Sequence, residues 1–409
     1  MRRPAVILRL AGSVALLASG SGVALGSSEL LLRLRDRATT YRVLPVAVRA
    51  EFQPAPGLMP GVEGRSIYST TADGIRGRPY AEQGALNLLA IGGSTTECLY
   101  LDDGEAWPAL LESELQSTLG RAVWVGNIGV SGMGAAEHVL VVRHYAPQLR
   151  LDWVVVLVGV NDLMPVLRRG ARYEPGSEDP DDYGYFLDRS FRVRPLLDSR
   201  IDRPFPQNLA VWNLAQRGYA AVRRWRDADL RDGDLRVEDR VGSNYERRRD
   251  ILRATRQIIE LPDLAPALGP FERNLLELVE SVRHQGADLV LLTQPSAWHE
   301  HISPEMERLL WLGFFGDKEV PHARYRPTDL ERALRAFNDV TLRVCEISAA
   351  RCIDLASELT VPQRESYYYD DVHLNEAGAR RVAEILALHL ARWIAPGGVL
   401  ADRSGLSGL

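Results

Sequence analysis

Cysteine is scarce in this sequence, which has three such residues in a chain of 409. Cys98, Cys345 and Cys352 are too few and too scattered for a disulfide scaffold or a zinc-ribbon spacing, so a structural metal site is not expected. Cys345 and Cys352 could form one bridge if the protein lies outside the cytosol. Because free cysteines are often buried, two free thiols are the favoured interpretation.

The sequence also lacks an excess of positive charge. Asp and Glu total 54 against 49 Lys and Arg, so the net charge of −5 gives no electrostatic reason to expect nucleic acid as a partner. Hydrophobic residues make up 46% of the chain and charged residues 25%, which is typical of a folded globular protein. There is no internal repeat and no heptad run. These absences exclude a disordered, fibrous or nucleic-acid-binding chain.

The N-terminus combines a short basic start with an apolar stretch. Arg2 and Arg3 precede residues 10–28, which carry no charge and are rich in Ala, Leu, Val, Gly and Ser. This order of parts is typical of a secretory signal, so residues 1–33 are predicted to be a signal or a membrane anchor. We expect an extracytoplasmic protein, periplasmic or at the cell surface, associated with the membrane through residues 5–26 or secreted after cleavage. A buried N-terminal helix of a cytosolic domain is the alternative.

The rest of the chain predicts one domain, residues 85–395, with a C-terminal tail at 396–409. Residues 34–84 hold clusters of Pro and Gly without periodicity and are predicted to be an irregular stem. Short, nearly continuous apolar runs are typical of parallel strands that are buried on both faces. Five such runs occur, at residues 86–91, 122–128, 153–158, 288–293 and 352–355.

Helical periodicity lies between these runs. One helix is predicted to open with a capping box formed by Thr328 and Glu331, and the last helix to begin near Asn375. Because parallel strands need crossovers that cover both faces, the alternation predicts an α/β fold, a three-layer α/β/α sandwich around a five-stranded parallel sheet. A large helical insertion is expected at about residues 164–269, with helix-like stretches such as 208–224.

Small and polar residues follow the predicted strands. Ser94 follows the first run in Gly-Gly-Ser, Gly132 lies in the glycine-rich segment after the second, and Asn161 follows the third in Gly-Val-Asn-Asp. Asp370 and His373, three residues apart, precede the last helix. Ligands of an open parallel sheet bind at the carboxyl ends of its strands, so we expect these residues to converge on one rim.

The order of these blocks resembles the SGNH hydrolases, also called the GDSL-like lipase/acylhydrolase superfamily, whose blocks carry Ser, Gly, Asn and His. The likeness covers residues 85–395, with the insertion between the third and fourth strands. The first block reads Gly-Gly-Ser instead of Gly-Asp-Ser, a variant that family members tolerate. Residues 73–77, Asp-Gly-Ile-Arg-Gly, resemble a stretch found before the serine block in membrane-anchored members. The resemblance therefore implies a secreted or membrane-anchored bacterial type with the flavodoxin-like SGNH fold.

The resemblance assigns a catalytic triad of Ser94, His373 and Asp370. A serine hydroxyl is a poor nucleophile at neutral pH, so it needs a neighbouring base and a carboxylate that orients that base. The oxyanion donors that the resemblance implies are the backbone N–H groups of Ser94 and Gly132 and the side-chain amide of Asn161. Neither a cofactor nor a metal is expected.

These assignments predict a serine ester hydrolase that forms an acyl-enzyme on short-chain acyl or carbohydrate O-acetyl esters. The expected partner is thus a small-molecule or glycan ester. Two alternatives stay open: an O-acyltransferase that uses the same triad, and a catalytically inactive binding protein with the SGNH fold. An α/β-hydrolase is disfavoured because Thr96 stands where its nucleophile elbow requires Gly.

Other polar residues are given structural interpretations. His299 and His301 beside Glu300 lack a third ligand at a diagnostic spacing, so they are predicted to lie in an ordinary polar loop. Asp162 is interpreted as a turn or helix-capping residue. Ser296, which has no base placed for it, is interpreted as structural or substrate-contacting.

Overall fold

The computed structural model describes residues 24, 26–28, 30–31, 43–44, 49–80, 85–175, 237–257, 260–317, 320–359 and 364–395. By its internal contacts the chain divides into two units. Met1–Tyr41 and Asp198–Leu235 form one, of which the structure describes only a few positions between 24 and 31. Arg42–Leu197 and Arg236–Leu409 form the other, which contains every element named below.

Nine strands form three sheets in the described part of the chain. They are β1 Arg49–Phe52, β2 Ser66–Ser69, β3 Leu86–Gly92, β4 Val123–Asn127, β5 Trp153–Leu157, β6 Asp288–Leu292, β7 Phe314–Gly316, β8 Pro321–Arg324 and β9 Arg351–Ile353. The central sheet has the order β4-β3-β5-β6-β9, and all of its neighbouring pairs are parallel. All five apolar runs are therefore strands, and the predicted five-stranded parallel sheet is confirmed.

Helices cover both faces of this sheet. The α-helices are α1 Ser94–Glu97, α2 Trp107–Leu119, α3 Ala135–His144, α4 Val160–Arg169, α5 Val237–Ala254, α6 Ala265–His284, α7 Pro304–Glu307, α8 Pro327–Ser348, α9 Leu355–Glu358 and α10 Glu376–Ile394. Helices α2 and α10 pack together, while α6 contacts α3, α4 and α8. These two groups are the outer layers of the predicted α/β/α sandwich. Strands β3, β4 and β5 are buried along their whole length because they lie between the layers.

The segment before the central sheet is more regular than the sequence predicted. Strands β1 and β2 pair antiparallel, with Arg49 opposite Ser69 and Phe52 opposite Ser66. Further on, Arg76 exchanges both backbone hydrogen bonds with Asn127 at the end of β4. The Pro- and Gly-rich composition hid this pairing because the two strands are short and separated by turns.

Two local expectations of the sequence are wrong. Cys345 at the end of α8 and Cys352 in β9 are joined by a disulfide, whereas Cys98 is free and buried. The capping box also does not form, because α8 begins at Pro327 with Arg326 as its N-cap, two residues before Thr328, and proline is favoured in the first turn of a helix. Glu331 instead accepts a hydrogen bond from Arg364 at 2.8 Å.

Some predictions fall on residues outside those described. They are the apolar N-terminal stretch through which membrane association was expected, the helix-like stretch at 208–224 and the tail at 396–409. Within the described part of the insertion, the structure shows the end of α4, then α5 and the start of α6. Among the described residues, no helix has both the length and the apolar character needed to cross a membrane.

Candidate active site

The strand order places the site between β3 and β5. In an open parallel sheet the crevice for ligands forms at the point where the strand order reverses. Here the chain runs from β3 to β4 on one side of β3 and then crosses to β5 on its other side. Ser94 follows β3 and Asn161 follows β5, so both leave the carboxyl ends of adjacent strands. The topology therefore brings the first and third sequence blocks together.

Ser94 is the first residue of α1, and its backbone N–H has no acceptor within that helix. Its Oγ lies 2.8 Å from Nε2 of His373. The preceding Gly93 permits a close approach, because a Cβ at that position would lie 2.2 Å from Nδ2 of Asn161. A side chain at Gly93 would therefore displace the amide that lies beside the serine.

Asp370 and His373 lie in the loop before α10. The imidazole Nδ1 lies 2.8 Å from Oδ1 and 2.7 Å from Oδ2 of the Asp370 carboxylate. Asp370 is fully buried, and it also accepts the backbone N–H of His373 at 2.9 Å and the indole N–H of Trp311 at 2.8 Å. One loop thus presents a carboxylate to one nitrogen of the ring and leaves the other nitrogen on Ser94.

Asp370 and His373, both buried, shift each other's pKa in opposite directions. Burial opposes charge on Asp370, but the adjacent imidazole and the donated hydrogen bonds outweigh it, so the pKa of Asp370 lies below its ordinary value. Burial likewise opposes protonation of His373, but the charge and hydrogen bond of Asp370 outweigh it, so the pKa of His373 lies above its ordinary value. The pair therefore favours an ionised carboxylate beside an imidazole of raised basicity.

Asp371 faces away from the imidazole. Its carboxylate accepts the indole N–H of Trp298 at 2.9 Å and the backbone N–H groups of Trp311 and Leu312 at 2.7 and 3.0 Å. Burial, followed by the neighbouring charge of Asp370, raises its pKa to about 6. Asp371 thus anchors the segment that carries Trp311.

Gly132 and Asn161 lie on the other side of the serine. Gly132 has φ of 86°, a left-handed conformation that favours glycine. Nδ2 of Asn161 donates to the carbonyl oxygen of Met133 at 2.9 Å, which fixes the amide beside Ser94 and leaves its second hydrogen for another acceptor. The sequence predicted both residues at this rim.

One cavity of about 690 Å³ connects these groups. Ser94, Gly132, Asn161 and His373 all line it. A nucleophile, a base and candidate oxyanion donors therefore face the same space, which has room for a substrate.

The sequence profile of the GDSL-like lipase/acylhydrolase family matches residues 90–381, which is most of the chain. The protein belongs to this family. Its members include hydrolases of ester bonds, which agrees with a serine, a histidine and an aspartate on one cavity. Comparison with curated proteins finds no significant match.

Solved structures of low sequence identity resemble this chain. Axe2, an acetylxylan esterase from Geobacillus stearothermophilus, is 14% identical, covers 76% of this chain over 96% of its own and has a TM-score of 0.39. LAE5, an alpha/beta hydrolase enzyme from the metagenome of Lake Arreo, Spain, is 16% identical, with coverage of 76% and 96% and a TM-score of 0.38. The acetyl xylan esterase AlAXEase is 12% identical, with coverage of 74% and 99% and a TM-score of 0.38.

Arg76 supports the loop that follows Ser94. Its buried guanidinium donates to the backbone carbonyl groups of Glu97, Cys98 at 2.8 Å and Leu101 at 2.7 Å, and it pairs with Asp103 at 3.0 Å. The residue belongs to the Asp-Gly-Ile-Arg-Gly segment that the sequence analysis singled out without a role. Because this buried arginine donates to three backbone carbonyl groups, it fixes the path of the chain directly after α1.

Glu97, at the end of α1, supports the glycine segment. Its carboxylate accepts the backbone N–H of Ser131 at 2.8 Å and also the Ser131 hydroxyl. Burial raises the pKa of Glu97, against the hydrogen bonds from Ser131. Because Ser131 precedes Gly132, this carboxylate positions one of the candidate oxyanion donors.

Arg249 joins three segments around the histidine, a role that no pattern in the sequence indicates. Its guanidinium donates to the backbone carbonyl groups of Leu309 at 2.9 Å, Leu58 at 2.7 Å and Tyr369 at 3.2 Å. Tyr369 directly precedes Asp370. The helix of the insertion, the stem and the loop of the triad are therefore held by one side chain.

Aromatic rings surround His373. The rings of Trp311 and Tyr369 lie nearly parallel to the imidazole, with centroids 6.2 and 5.6 Å from it. Tyr245 and Tyr100 pack edge-on against these two rings in turn. Apolar rings exclude water from the histidine while the hydrogen bond to Asp370 is kept.

The remaining polar candidates are structural. His299 Nε2 lies 2.8 Å from Glu365, and no metal-binding cluster of His, Cys, Asp or Glu occurs within the described ranges. Asp162 accepts the backbone N–H of Ala135 at 3.0 Å, so it caps the start of the neighbouring helix α3. Ser296 is buried and lies outside the cavity lining.

Proposed function

We propose that the protein is a serine ester hydrolase that forms an acyl-enzyme at Ser94, acting on short-chain acyl or carbohydrate O-acetyl esters. The observation that carries the proposal is the 2.8 Å contact between Ser94 Oγ and His373 Nε2, with Asp370 on the opposite nitrogen. The family to which the chain belongs supports ester hydrolysis in general, and the class of ester is part of this proposal.

Acylation begins with His373 as the base. Nε2 takes the proton of the Ser94 hydroxyl as Oγ attacks the carbonyl carbon of the ester, and Asp370 stabilises the imidazolium that forms. The carbonyl oxygen becomes an oxyanion, for which the N–H groups of Ser94, Gly132 and Asn161 are the donors. Collapse of this intermediate breaks the ester C–O bond, and Nε2 gives its proton to the leaving alcohol.

Deacylation repeats the same steps with water. His373 takes a proton from a water molecule that attacks the acyl carbon, and the oxyanion forms again at the same donors. When the second intermediate collapses, Nε2 returns the proton to Ser94 Oγ and the carboxylic acid is released.

The test combines a variant with a covalent probe. Ser94→Ala is expected to lower kcat/KM on acetyl esters by at least 10³-fold, because it removes the nucleophile. A serine-directed phosphonate is expected to label the parent protein once, at Ser94, as read by peptide mass spectrometry. Ser113→Ala is the matched control, since Ser113 is exposed on α2 and bonds only to its own helix.

Full activity in Ser94→Ala would overturn the proposal. Absence of turnover and of labelling in the folded parent protein would favour the inactive binding protein. Acyl transfer to an added sugar in preference to water, measured by product analysis, would favour the O-acyltransferase.

We further propose an extracytoplasmic location, with membrane association through residues 5–26. The uncharged N-terminal stretch supports it, and so does the Cys345–Cys352 disulfide, because such bonds persist in oxidising compartments. Protease added outside intact cells or spheroplasts should digest the bulk of the chain. Complete protection, with release into the cytosolic fraction on lysis, would contradict the proposal.

A further inference from the structure

The Asp370 carboxylate receives one hydrogen bond from outside its own loop, counted over the described part of the chain. Within the loop, the backbone N–H groups of Val372 and His373 donate to Oδ1 at 3.1 and 2.9 Å, and Nδ1 of His373 faces both oxygens. The indole N–H of Trp311 donates to Oδ2 at 2.8 Å, from a position 59 residues earlier in the chain. The two oxygens of this carboxylate are therefore held by two different segments.

The second attachment matters because of the way in which an aspartate side chain moves. The torsion that turns a carboxylate about its Cβ–Cγ bond has broad minima, so hydrogen bonds to one oxygen leave the plane of the group poorly defined. A donor on each oxygen defines that plane. In this structure the plane places Oδ1 and Oδ2 of Asp370 at 2.8 and 2.7 Å from Nδ1 of His373. The indole N–H thus controls how the carboxylate faces the imidazole.

The indole ring is itself held by contacts with other segments. Residues 310–313 form neither helix nor strand, so their position depends on such contacts. Asp371 accepts the backbone N–H of Trp311 at 2.7 Å. From α5, the ring of Tyr245 packs edge-on with its centre 5.4 Å from the indole, and the guanidinium carbon of Arg248 lies 5.1 Å from the centre of the same ring. The N–H that reaches Asp370 therefore comes from a ring with a defined position.

An indole is well suited to hold a catalytic carboxylate. Its N–H is a donor and never an acceptor, so Trp311 binds the ionised form of Asp370 and exchanges no proton with it. A hydrogen bond to the ionised form favours that form, and this bond is one of those that lower the pKa of Asp370. The plane of the indole also lies within 4° of the plane of the His373 ring. Trp311 thus supports the carboxylate without competing for the proton on the histidine.

We propose that Trp311 is a positioning residue of the triad, whose indole N–H fixes the Asp370 carboxylate in the orientation that aligns His373 with Ser94. The inference rests on the proposed function and deepens it, because it adds a residue on which the base depends. Trp311 acts through Asp370 and touches no reacting atom. Its ring also lines the cavity, so the rival explanation is that Trp311 only shapes the wall against which the ester binds.

The test uses two substitutions that separate the donor from the ring. Trp311→Phe keeps an aromatic ring and removes the N–H, whereas Trp311→Gln removes the ring and keeps an N–H donor at the same number of bonds from Cα. With 4-nitrophenyl acetate, Trp311→Phe should lower kcat at least about tenfold, as expected for the loss of a hydrogen bond to a charged group, and change KM less than about threefold. Trp311→Gln should retain more of the parental kcat than Trp311→Phe. A role of the ring as cavity wall predicts the reverse ranking.

The proton between His373 Nδ1 and Asp370 gives a second measurement. In the parent protein it should produce a ¹H NMR resonance downfield of the backbone amides, identified by its loss in Asp370→Asn. In Trp311→Phe this resonance should broaden through faster exchange with water, because the carboxylate can rotate away from the ring. Trp311→Gln should retain it, although that variant leaves more room for water.

Trp393→Phe is the matched control. Trp393 is a half-buried tryptophan on α10, its ring is stacked on Trp153, and it lies outside the cavity lining. The substitution removes the same atoms as Trp311→Phe at a site away from the triad. It should leave kcat, KM and the downfield resonance unchanged.

The outcomes separate this inference from the proposed function. A near-parental kcat in folded Trp311→Phe, or a greater loss of kcat in Trp311→Gln than in Trp311→Phe, would overturn the inference alone. Absence of ester turnover and of phosphonate labelling in the folded parent protein would overturn the proposed function and the inference with it. If Trp311→Gln does not fold, the kcat and the downfield resonance of Trp311→Phe decide the matter.

Discussion

Asp371 accepts the backbone N–H of Trp311 at 2.7 Å, while the indole of the same tryptophan donates to Asp370 at 2.8 Å. Two adjacent carboxylates therefore hold one residue by two different groups. Only Asp370 touches the imidazole, so the two aspartates have different tasks despite their adjacency.

This difference predicts that two matched substitutions affect different properties, Asp370→Asn mainly the activity and Asp371→Asn mainly the stability. Asp370→Asn removes the acceptor that fixes the histidine tautomer, and kcat/KM should fall at least ~10²-fold, or ~3 kcal/mol of barrier. Asp371→Asn places an amide N–H₂ against buried N–H donors, so it should lower the free energy of unfolding by about 2 kcal/mol and kcat/KM by less than about tenfold. Kinetics on one ester and urea unfolding of both variants check the prediction. A reversed ranking of the two activities would contradict it.

The pH dependence of activity follows from the shift of His373. A protonated imidazole cannot take the proton of Ser94, and the pKa of His373 is raised above 6.5. We therefore expect kcat/KM to rise with pH through a value above 6.5. In Asp370→Asn the inflection should move down, because burial remains and the raising charge is gone. An inflection below the ordinary pKa of histidine in the parent protein would refute the assignment.

Asn161→Ala tests the oxyanion donor. Removing one such donor typically lowers turnover by about 10²- to 10³-fold with little effect on folding. The change should appear in kcat rather than in KM, because the oxyanion forms in the transition state and the tetrahedral intermediate and is absent from the bound ester. Near-normal turnover in a folded variant would exclude Asn161 from this role.

Arg249→Met is expected to destabilise the whole domain. The substitution leaves buried carbonyl groups of three segments without their donor, which should cost about 3 kcal/mol of unfolding free energy. Arg253→Met, on the same helix, removes an exposed ion pair with Asp250 and should change stability by about 0.5 kcal/mol or less. Equal unfolding midpoints for the two variants would argue against this role of Arg249.

The central sheet could be predicted because strands buried on both faces leave continuous apolar runs in the sequence. The placement of Ser94, Gly132, Asn161 and His373 on one rim followed from the blocks that come after those strands. The side chains that hold His373 and its loop in place could not be predicted in this way. Trp311 and Arg249 lie in segments without strand periodicity, and their contacts exist only once the insertion packs on the triad loop.

Two local errors have the same origin. A capping box was predicted for Thr328, but Pro327 before it fixes the first turn of the helix. For Cys345 and Cys352, free thiols were favoured and a bridge was the alternative, because sequence spacing does not show that the chain turns back after α8 and places β9 against it. In both cases the local structure is decided by a neighbour outside the motif itself: Pro327 for the helix start and β9 for the disulfide.

Arg76 has a consequence for the order in which the domain opens. Its backbone forms hydrogen bonds with that of Asn127, and its guanidinium donates to the backbone carbonyl groups that follow α1. The nearby amides of Ile67 and Ser69 donate to Asp102 and Asp103. In native-state hydrogen exchange these amides should therefore lose protection together with the nucleophile loop, as one cooperative unit. A chain that starts at residue 85 would keep the strands of the central sheet. It would lack Arg76, whose hydrogen bonds hold the loop directly after Ser94 and α1 in position.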